Sequence, residues 1–172
     1  MPHGIFAEQK KEKMAVKKTI AIVGATEEVG AEIAKKFSFI PYRLLLVSNN
    51  EEQLSQLFEN ISKQNPTAEI DTIECVKEGC WEADIIILAV PGCEEKYAAE
   101  MMKEVATQKI VVVLSNAGVE QILPYSKIVM VSNISASNEI IISGNNKAVN
   151  EELSKMFNQA GYQVNTKNHS LK

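Results

Sequence analysis

Residues 19–30 read T-I-A-I-V-G-A-T-E-E-V-G, an apolar run followed by a turn that has a glycine at each end. The apolar run has the length of one strand that is buried on both faces. Val29, Ile33 and Phe37 then recur every fourth residue, and this spacing places one apolar stripe along a helix. The stretch therefore predicts a strand, a tight turn and a helix, in that order.

The same alternation continues along the chain. Further strands are predicted at residues 43–47, 69–73, 83–90, 109–114, 127–131, 139–143 and 163–166. Further helical stripes are formed by Leu54, Leu57, Phe58 and Ile61, by Tyr97, Met101 and Val105, and by Leu153, Met156, Phe157 and Ala160. Alternating apolar strands and amphipathic helices predict an α/β fold of the Rossmann type, a doubly wound, mainly parallel sheet with helices on both faces.

Length and charge narrow the class of protein. A chain of 172 residues suffices for one domain with a sizeable core, and residues 1–18, which are polar and lysine-rich, predict a flexible tail ahead of a single domain at residues 19–172. The net charge of −4 provides no basic surface for nucleic acid. Because the chain also lacks a secretory signal and an apolar run of roughly 18 to 20 residues, we expect a cytoplasmic protein without a membrane partner.

The turn after the first predicted strand has the spacing of a phosphate-binding loop. It comprises Gly24, Ala25, Thr26, Glu27, Glu28, Val29 and Gly30. Dinucleotide sites place glycines here for a tight turn, for close approach to the pyrophosphate and for packing of the helix on the strand. Gly24 and Gly30 meet the first and third needs, whereas Glu27 stands where the middle glycine is expected. Either Glu27 weakens an otherwise intact cofactor site, or Glu27 and Glu28 are acids in the first turn of a helix that is kept only for the fold.

Neutral residues follow the second predicted strand, at the position that distinguishes NAD from NADP. An NAD site usually has an acid there, about 20 residues past the glycine turn, which accepts hydrogen bonds from the ribose 2′-hydroxyl. Ser48, Asn49 and Asn50 occupy this position. They would not repel a 2′-phosphate and could donate to it, so we expect NADP(H) as the cofactor before NAD(H). Asn50 has an alternative role as the N-cap of the next helix, together with Gln53.

Groups suited to acid–base chemistry are scarce at the predicted strand ends. His3 and His169 lie close to the ends of the chain. Cys75, Cys80 and Cys93 have neither zinc-site spacing nor an even count, and we interpret them as reduced thiols. Direct hydride transfer between a nicotinamide and a flavin-like ring needs mainly the alignment of two rings, because the cofactors carry the chemistry. We therefore assign neither catalytic residues nor a metal site.

Several short sequence motifs are found together between about residue 19 and residue 171. They are Gly24-Ala25-Thr26, Ser48-Asn49, Ala89-Val90-Pro91, Ser115-Asn116 and the segment K-I-V-M-V-S-N-I-S-A at residues 127–136. This set resembles the deazaflavin (coenzyme F-420)-dependent NADP oxidoreductases, which share their dinucleotide domain with the pyrroline-5-carboxylate reductases. Glu27 and Asn49 depart from the glycine and the arginine of that family.

The resemblance implies an NADP(H)-binding oxidoreductase that transfers hydride between nicotinamide and a small acceptor such as deazaflavin or flavin. Ala89, Val90, Pro91 and Asn116 would then contact the cofactor, with Asn133 and Ile134 at the acceptor pocket. The alternative is a non-catalytic nucleotide-binding or interaction module with a degenerate phosphate turn. Family members also carry further C-terminal helices that cover the cleft, so we expect a homodimer whose contact lies near residues 132–138.

Overall fold

The computed structural model describes residues 17–115, 118–134 and 137–168. Within these ranges there are eight strands and five α-helices. The strands are β1 (Thr19–Val23), β2 (Arg43–Val47), β3 (Ile70–Ile73), β4 (Ile85–Leu88), β5 (Ile110–Val113), β6 (Lys127–Ser132), β7 (Glu139–Gly144) and β8 (Gln163–Asn168). The helices are α1 (Glu28–Phe37), α2 (Glu51–Gln64), α3 (Val76–Glu82), α4 (Glu95–Met102) and α5 (Lys147–Gln159), with 3₁₀ turns at Gly92–Glu94 and Val119–Gln121.

All eight strands belong to one sheet with the order β3-β2-β1-β4-β5-β6-β7-β8. The strands β1 to β6 are parallel to one another. β7 runs antiparallel to β6, and β8 is again parallel to β7. The predicted α/β, Rossmann-type, mainly parallel sheet is therefore confirmed, with a reversal of direction at β7.

The core has two layers because successive side chains of a strand point to opposite faces of the sheet. Ile20 and Ile22 of β1 pack on the side covered by α1, α2 and α5, with Phe37 and Phe157. Ala21 and Val23 pack on the other side with residues of α3 and α4. Helices thus cover both faces, as expected for a doubly wound sheet.

Two helices differ from the prediction. α3 was not predicted, because its seven residues, V-K-E-G-C-W-E, are too few to show an apolar period. In α4 the buried residues include Ala98, Ala99 and Met102, whereas Tyr97 is 70% exposed and Met101 is 40% exposed. The stripe predicted on Tyr97, Met101 and Val105 was therefore wrong, because the small alanines face the sheet and the larger side chains do not.

The segment after β6 reaches the carboxyl edge of the sheet in an unusual conformation. Asn133 has a positive φ of 68°, which asparagine tolerates better than most residues, and Ile134 is buried. Farther along, Lys36 of α1 donates to Asn138 Oδ1 at 2.7 Å and its ammonium lies 4.2 Å from the ring centroid of Tyr162. α1 is thus joined to the segment that precedes β7.

The described helices include none that is both long and apolar enough to cross a membrane.

Candidate functional site

The winding of the sheet reverses beside β1, since β2 lies on one side of it and β4 on the other. The loops that leave β1 and β4 therefore diverge to opposite faces. Ligands of open α/β sheets bind in the crevice that this divergence leaves at the carboxyl ends of the strands. The predicted turn at residues 24–30 lies at this point.

The turn is built so tightly that both glycines are needed. Gly24 has a φ of +86°, and a Cβ there would lie 2.8 Å from the carbonyl oxygen of Ala89. A Cβ on Gly30 would lie 2.1 Å from the carbonyl oxygen of Gly24. The N–H groups of Gly24 and Ala25 both donate to the carbonyl of Val47, at 3.0 and 3.1 Å. The turn is thus held against the ends of β2 and β4 by backbone contacts.

The first turn of α1 presents three backbone donors. Glu27 N–H donates to the carbonyl of Gly24 at 3.0 Å, and the first intrahelical bond runs from Ala31 N–H to Glu27 O at 2.8 Å. The N–H groups of Glu28, Val29 and Gly30 lie between these two bonds and have no acceptor within the helix. The Glu27 side chain does not cap them either. Such free donors at a helix N-terminus can hold an anion.

Glu27 lies at the centre of the site. Its φ of −70° and ψ of 158° are extended backbone that any residue adopts, so a side chain is accommodated there. The residue is exposed and lines two neighbouring clefts, as does Val90. We name them the inner cleft and the outer cleft.

The inner cleft lies beyond the ends of β4, β5 and β6 and has a volume of about 250 Å³. Half of the predicted site residues meet there: Glu27, Glu28, Val29, Ala89, Val90, Pro91, Asn133 and Ile134. Four further residues complete its lining, namely Gly92, Glu95, Leu114 and Ser115. The fold therefore brings the turn, the A-V-P motif and the segment after β6 around one space.

The outer cleft lies between the loop after β2 and helix α4, and its volume is about 240 Å³. The predicted residues Gly24, Thr26, Glu27, Ser48, Asn49 and Val90 line it. Residues that we did not predict supply an apolar wall (Val76, Tyr97, Ala98 and Met101) and two acids (Glu74 and Glu94). The exposed face of α4 thus forms part of the wall of the outer cleft.

Three predicted residues line neither cleft, and one lies outside the described residues. Ala25 and Gly30 are buried within the turn. Asn50 is the N-cap of α2, since its Oδ1 accepts from Gln53 N–H at 3.0 Å, which is the alternative role foreseen for it. Asn116 lies outside the described residues, as do His3 and His169.

Glu95 is the buried polar group of the inner cleft that sequence reasoning missed. It is fully buried, and its Oε1 accepts from the N–H groups of Leu114 and Ser115 at 3.3 and 3.1 Å. Its Oε2 accepts from the Ser115 hydroxyl at 2.6 Å. These bonds join the first turn of α4 to the loop after β5. No local pattern signals this role, because 20 residues separate Glu95 from Ser115 in the chain.

The charge of the site is negative. Glu27, Glu28 and Glu95 line the inner cleft, and Glu27, Glu74 and Glu94 line the outer one. Neither lysine nor arginine is among the described residues that line the two clefts. Within the same ranges, no group of three or more histidine, cysteine, aspartate or glutamate side chains is arranged to hold a metal ion. The donors that the described residues of this site offer to an anion are therefore neutral, namely backbone N–H groups and side chains such as those of Thr26, Ser48 and Asn49.

The three cysteines are free thiols. Cys80 is buried next to Met102, with 3.9 Å between the sulfur atoms, and burial raises the pKa of its thiol to about 12. Cys75 and Cys93 are exposed, and Cys93 lines neither cleft.

Known proteins resemble this chain in structure and not in sequence. No protein-family model matches the sequence, and no curated protein matches it. Pyrroline carboxylate reductase from Plasmodium falciparum, solved with NADP bound, matches with a TM-score of 0.68 and 15% identity over 87% of this chain. The fold is Rossmann-like. A protein from Arthrobacter sp. FB24 assigned as an F420-dependent NADP-reductase matches with a TM-score of 0.69 and 16% identity, covering 87% of this chain and 84% of that one.

A third match is the 3-hydroxyacyl-CoA dehydrogenase from Archaeoglobus fulgidus, with a TM-score of 0.66 and 19% identity over 90% of this chain. The chain spans 57% of the Plasmodium reductase and 58% of this dehydrogenase. The structural neighbours are thus NAD(P)-dependent reductases and dehydrogenases at low identity, and the shared feature is the fold.

Proposed function

We propose that the chain binds a nicotinamide dinucleotide across the two clefts and acts as an NAD(P)-dependent oxidoreductase. One observation carries this proposal. The two clefts meet at Glu27, where the first turn of α1 presents three free N–H groups. Each cleft by itself is smaller than the roughly 300 Å³ at the low end of ligand pockets. A ligand with two ring systems joined by a pyrophosphate fits this arrangement.

The placement of the two halves follows from the lining. The pyrophosphate would rest on the N–H groups of Glu28 and Val29, which line the inner cleft. The adenosine half would enter the outer cleft, where Tyr97, Met101 and Val76 offer apolar contact. The nicotinamide half would enter the inner cleft beside Val90 and Pro91.

The acceptor would lie at the far side of the inner cleft, next to Asn133 and Ile134. The bound cofactor supplies the hydride chemistry, and the protein orients the two partners. The described residues that line this cleft include no histidine, lysine, cysteine or tyrosine to transfer a proton, and hydride transfer between two aligned rings needs none of them. Such an alignment suits a small acceptor with a planar ring, such as a deazaflavin or a flavin.

The rival function is a non-catalytic nucleotide-binding or interaction module. It is favoured by Glu27, an acid that lines both clefts and so brings negative charge to the place where the pyrophosphate would pass. The two functions differ in whether hydride reaches an acceptor.

The test has two stages. Thermal unfolding is followed while NADH, NADPH and ADP are titrated to millimolar concentration, since a ligand that binds the native state raises its stability by mass action. We expect a rise in Tm with at least one nicotinamide dinucleotide, and no rise with either would refute the proposal. Oxidation of NADH or NADPH by flavin and deazaflavin acceptors is then measured, and binding without turnover would favour the module.

The expected homodimer is part of the proposal. A second copy that contacts the segment at residues 132–138 would cover the inner cleft, which is open to solvent in the single chain. Residues 135 and 136 of this segment lie outside the described residues. Sedimentation velocity at micromolar protein, with and without NADH, should show a dimer, and a monomer under both conditions would contradict it.

A further inference from the structure

An acid occupies the strand end next to the loop after β2. Val47 of β2 pairs with Ile73 of β3, and Ser48 N–H donates to the carbonyl of Ile73 at 3.3 Å. Glu74 follows Ile73 directly, so it lies level with Ser48 and one strand away, a separation of about 4.8 Å between strands. Glu74 and Asn49 line the same outer cleft. Glu74 therefore lines the cleft beside the end of β2, which is where a Rossmann site holds the adenosine ribose.

The neutral residues of this loop are poorer phosphate donors than their sequence suggests. The Ser48 hydroxyl lies 2.7 Å from that of Thr26 and accepts from Asn50 N–H at 3.1 Å. Asn50 caps α2 through its Oδ1. Two donors remain for a 2′-phosphate: the exposed amide of Asn49, and whichever hydroxyl does not donate within the Thr26–Ser48 pair.

The surrounding charges would also oppose such a phosphate. A phosphate monoester carries about −1.5 to −2 charges at neutral pH. Glu27, Glu74 and Glu94 line the outer cleft, and the exposed Glu51 and Glu52 of the first turn of α2 add further negative charge nearby. Among the described lining residues there is no lysine or arginine to balance it.

On the basis of the proposed function, we infer that Glu74 makes the site selective for NAD(H) over NADP(H). Its carboxylate accepts a hydrogen bond from the ribose 2′-hydroxyl and repels a 2′-phosphate. This preference is opposite to the one expected from Ser48, Asn49 and Asn50 alone. The discriminating acid comes from the end of β3, whereas sequence reasoning looks for it at the end of β2.

The test compares the Kd values of NADH and NADPH in four proteins: the wild type, Glu74→Gln, Glu74→Lys and the control Glu78→Gln. Glu78 is an exposed acid four residues further along, in the first turn of α3, and it lines neither cleft. We expect the wild type and the control to bind NADH about tenfold more tightly than NADPH, the order of effect for one solvated carboxylate near a phosphate. Glu74→Gln should reduce the ratio to about two- or threefold, and Glu74→Lys should reverse it. The wild-type ratio should also fall as salt rises, because salt screens the repulsion.

Three results would overturn the inference: a wild type that binds NADPH as tightly as NADH, an unchanged ratio in Glu74→Gln, or the same change in the Glu78 control. Failure of both dinucleotides to bind would instead defeat the proposed function. In that case ADP and its 2′-phosphorylated analogue decide the inference. A Glu74-dependent preference for ADP supports it, and equal binding or no binding of the two overturns it.

Discussion

Glu95 and Ser115 are joined by a hydrogen bond of 2.6 Å between the glutamate Oε2 and the serine Oγ, and through it the loop after β5 is held to helix α4. The same carboxylate accepts the N–H groups of Leu114 and Ser115. Since Glu95 is fully buried, its removal leaves these donors without their partner. We predict that Glu95→Ala lowers the free energy of unfolding by about 1–3 kcal/mol, the cost of unsatisfied buried groups.

Urea unfolding measures this loss, and hydrogen exchange locates it. The Leu114 and Ser115 amides should exchange faster in Glu95→Ala than in the wild type. Glu94→Ala is the matched control, because it removes an exposed carboxylate from the neighbouring position. Equal protection of the two amides in Glu95→Ala and the control would contradict a role in holding the loop.

Glu27 should weaken the binding of a dinucleotide. The exposed residue lines both clefts and precedes the free N–H groups of α1 in the chain. We predict that Glu27→Gln tightens NADH binding by about fivefold, because one unit charge near another is worth about 1 kcal/mol in water at 4 Å. Glu27→Gly should tighten it further by also removing the side chain.

Glu32→Gln serves as the control for Glu27, since it removes an exposed charge from the same helix away from both clefts. Fluorescence titration with NADH gives the affinities. Unchanged affinity in both Glu27 variants would show that this carboxylate does not approach the phosphates.

Gly24 should tolerate alanine less well than Gly161. Both have positive φ, +86° and +99°, so alanine strains the backbone at both by roughly 1–2 kcal/mol. Only at Gly24 would the added Cβ meet other atoms, Ala89 O at 2.8 Å and Val90 Cγ1 at 2.9 Å, whereas nothing lies within 4 Å at Gly161. We predict that Gly24→Ala loses about 1–3 kcal/mol more in stability than Gly161→Ala, which is typical of overpacking. Equal losses in urea unfolding would mean that the turn can relax.

The cysteines should divide into two classes toward an alkylating reagent. The thiol of Cys80 is buried and its pKa is raised to about 12, so at pH 8 it holds its proton and is shielded from the reagent. Cys75 and Cys93 are exposed. Mass spectrometry of the native protein treated with iodoacetamide should find two modified cysteines, and a third after unfolding in urea. Rapid modification of Cys80 in the native protein would contradict its burial.

Sequence reasoning succeeded where a local pattern decides the structure. The apolar run at residues 19–25 predicts a buried strand, and β1 spans Thr19–Val23, with the last two residues of the run in the turn. Arg43–Val47 was predicted at the same bounds that β2 has. The sequence also has Gly161 just past the last apolar residue of the stripe predicted for α5, and this glycine has the positive φ that is typical of a helix end.

It failed where the outcome depends on contacts between distant parts of the chain. Tyr97 and Met101 have the spacing of a buried stripe, yet they form the wall of a cleft because Ala98 and Ala99 pack more closely on the sheet. Glu74 and Glu95 are ordinary acids in the sequence. Glu74 lies in the site because β3 pairs with β2, and Glu95 lies there because the loop after β5 approaches α4. No single stretch of the sequence encodes either contact.

The reversal of direction at β7 has a practical consequence for attaching this protein to a surface or to another protein. The carboxyl ends of β1 to β6 lie at the edge of the sheet that carries both clefts, whereas β8 ends at the opposite edge, where Asn168 pairs with Gly144. Lys18, which precedes β1, lines a hollow at this same opposite edge together with Asn146. A label or fusion partner joined ahead of Lys17 or beyond Asn168 thus starts from the side of the molecule remote from the clefts, and immobilisation through either end should leave them open to solution.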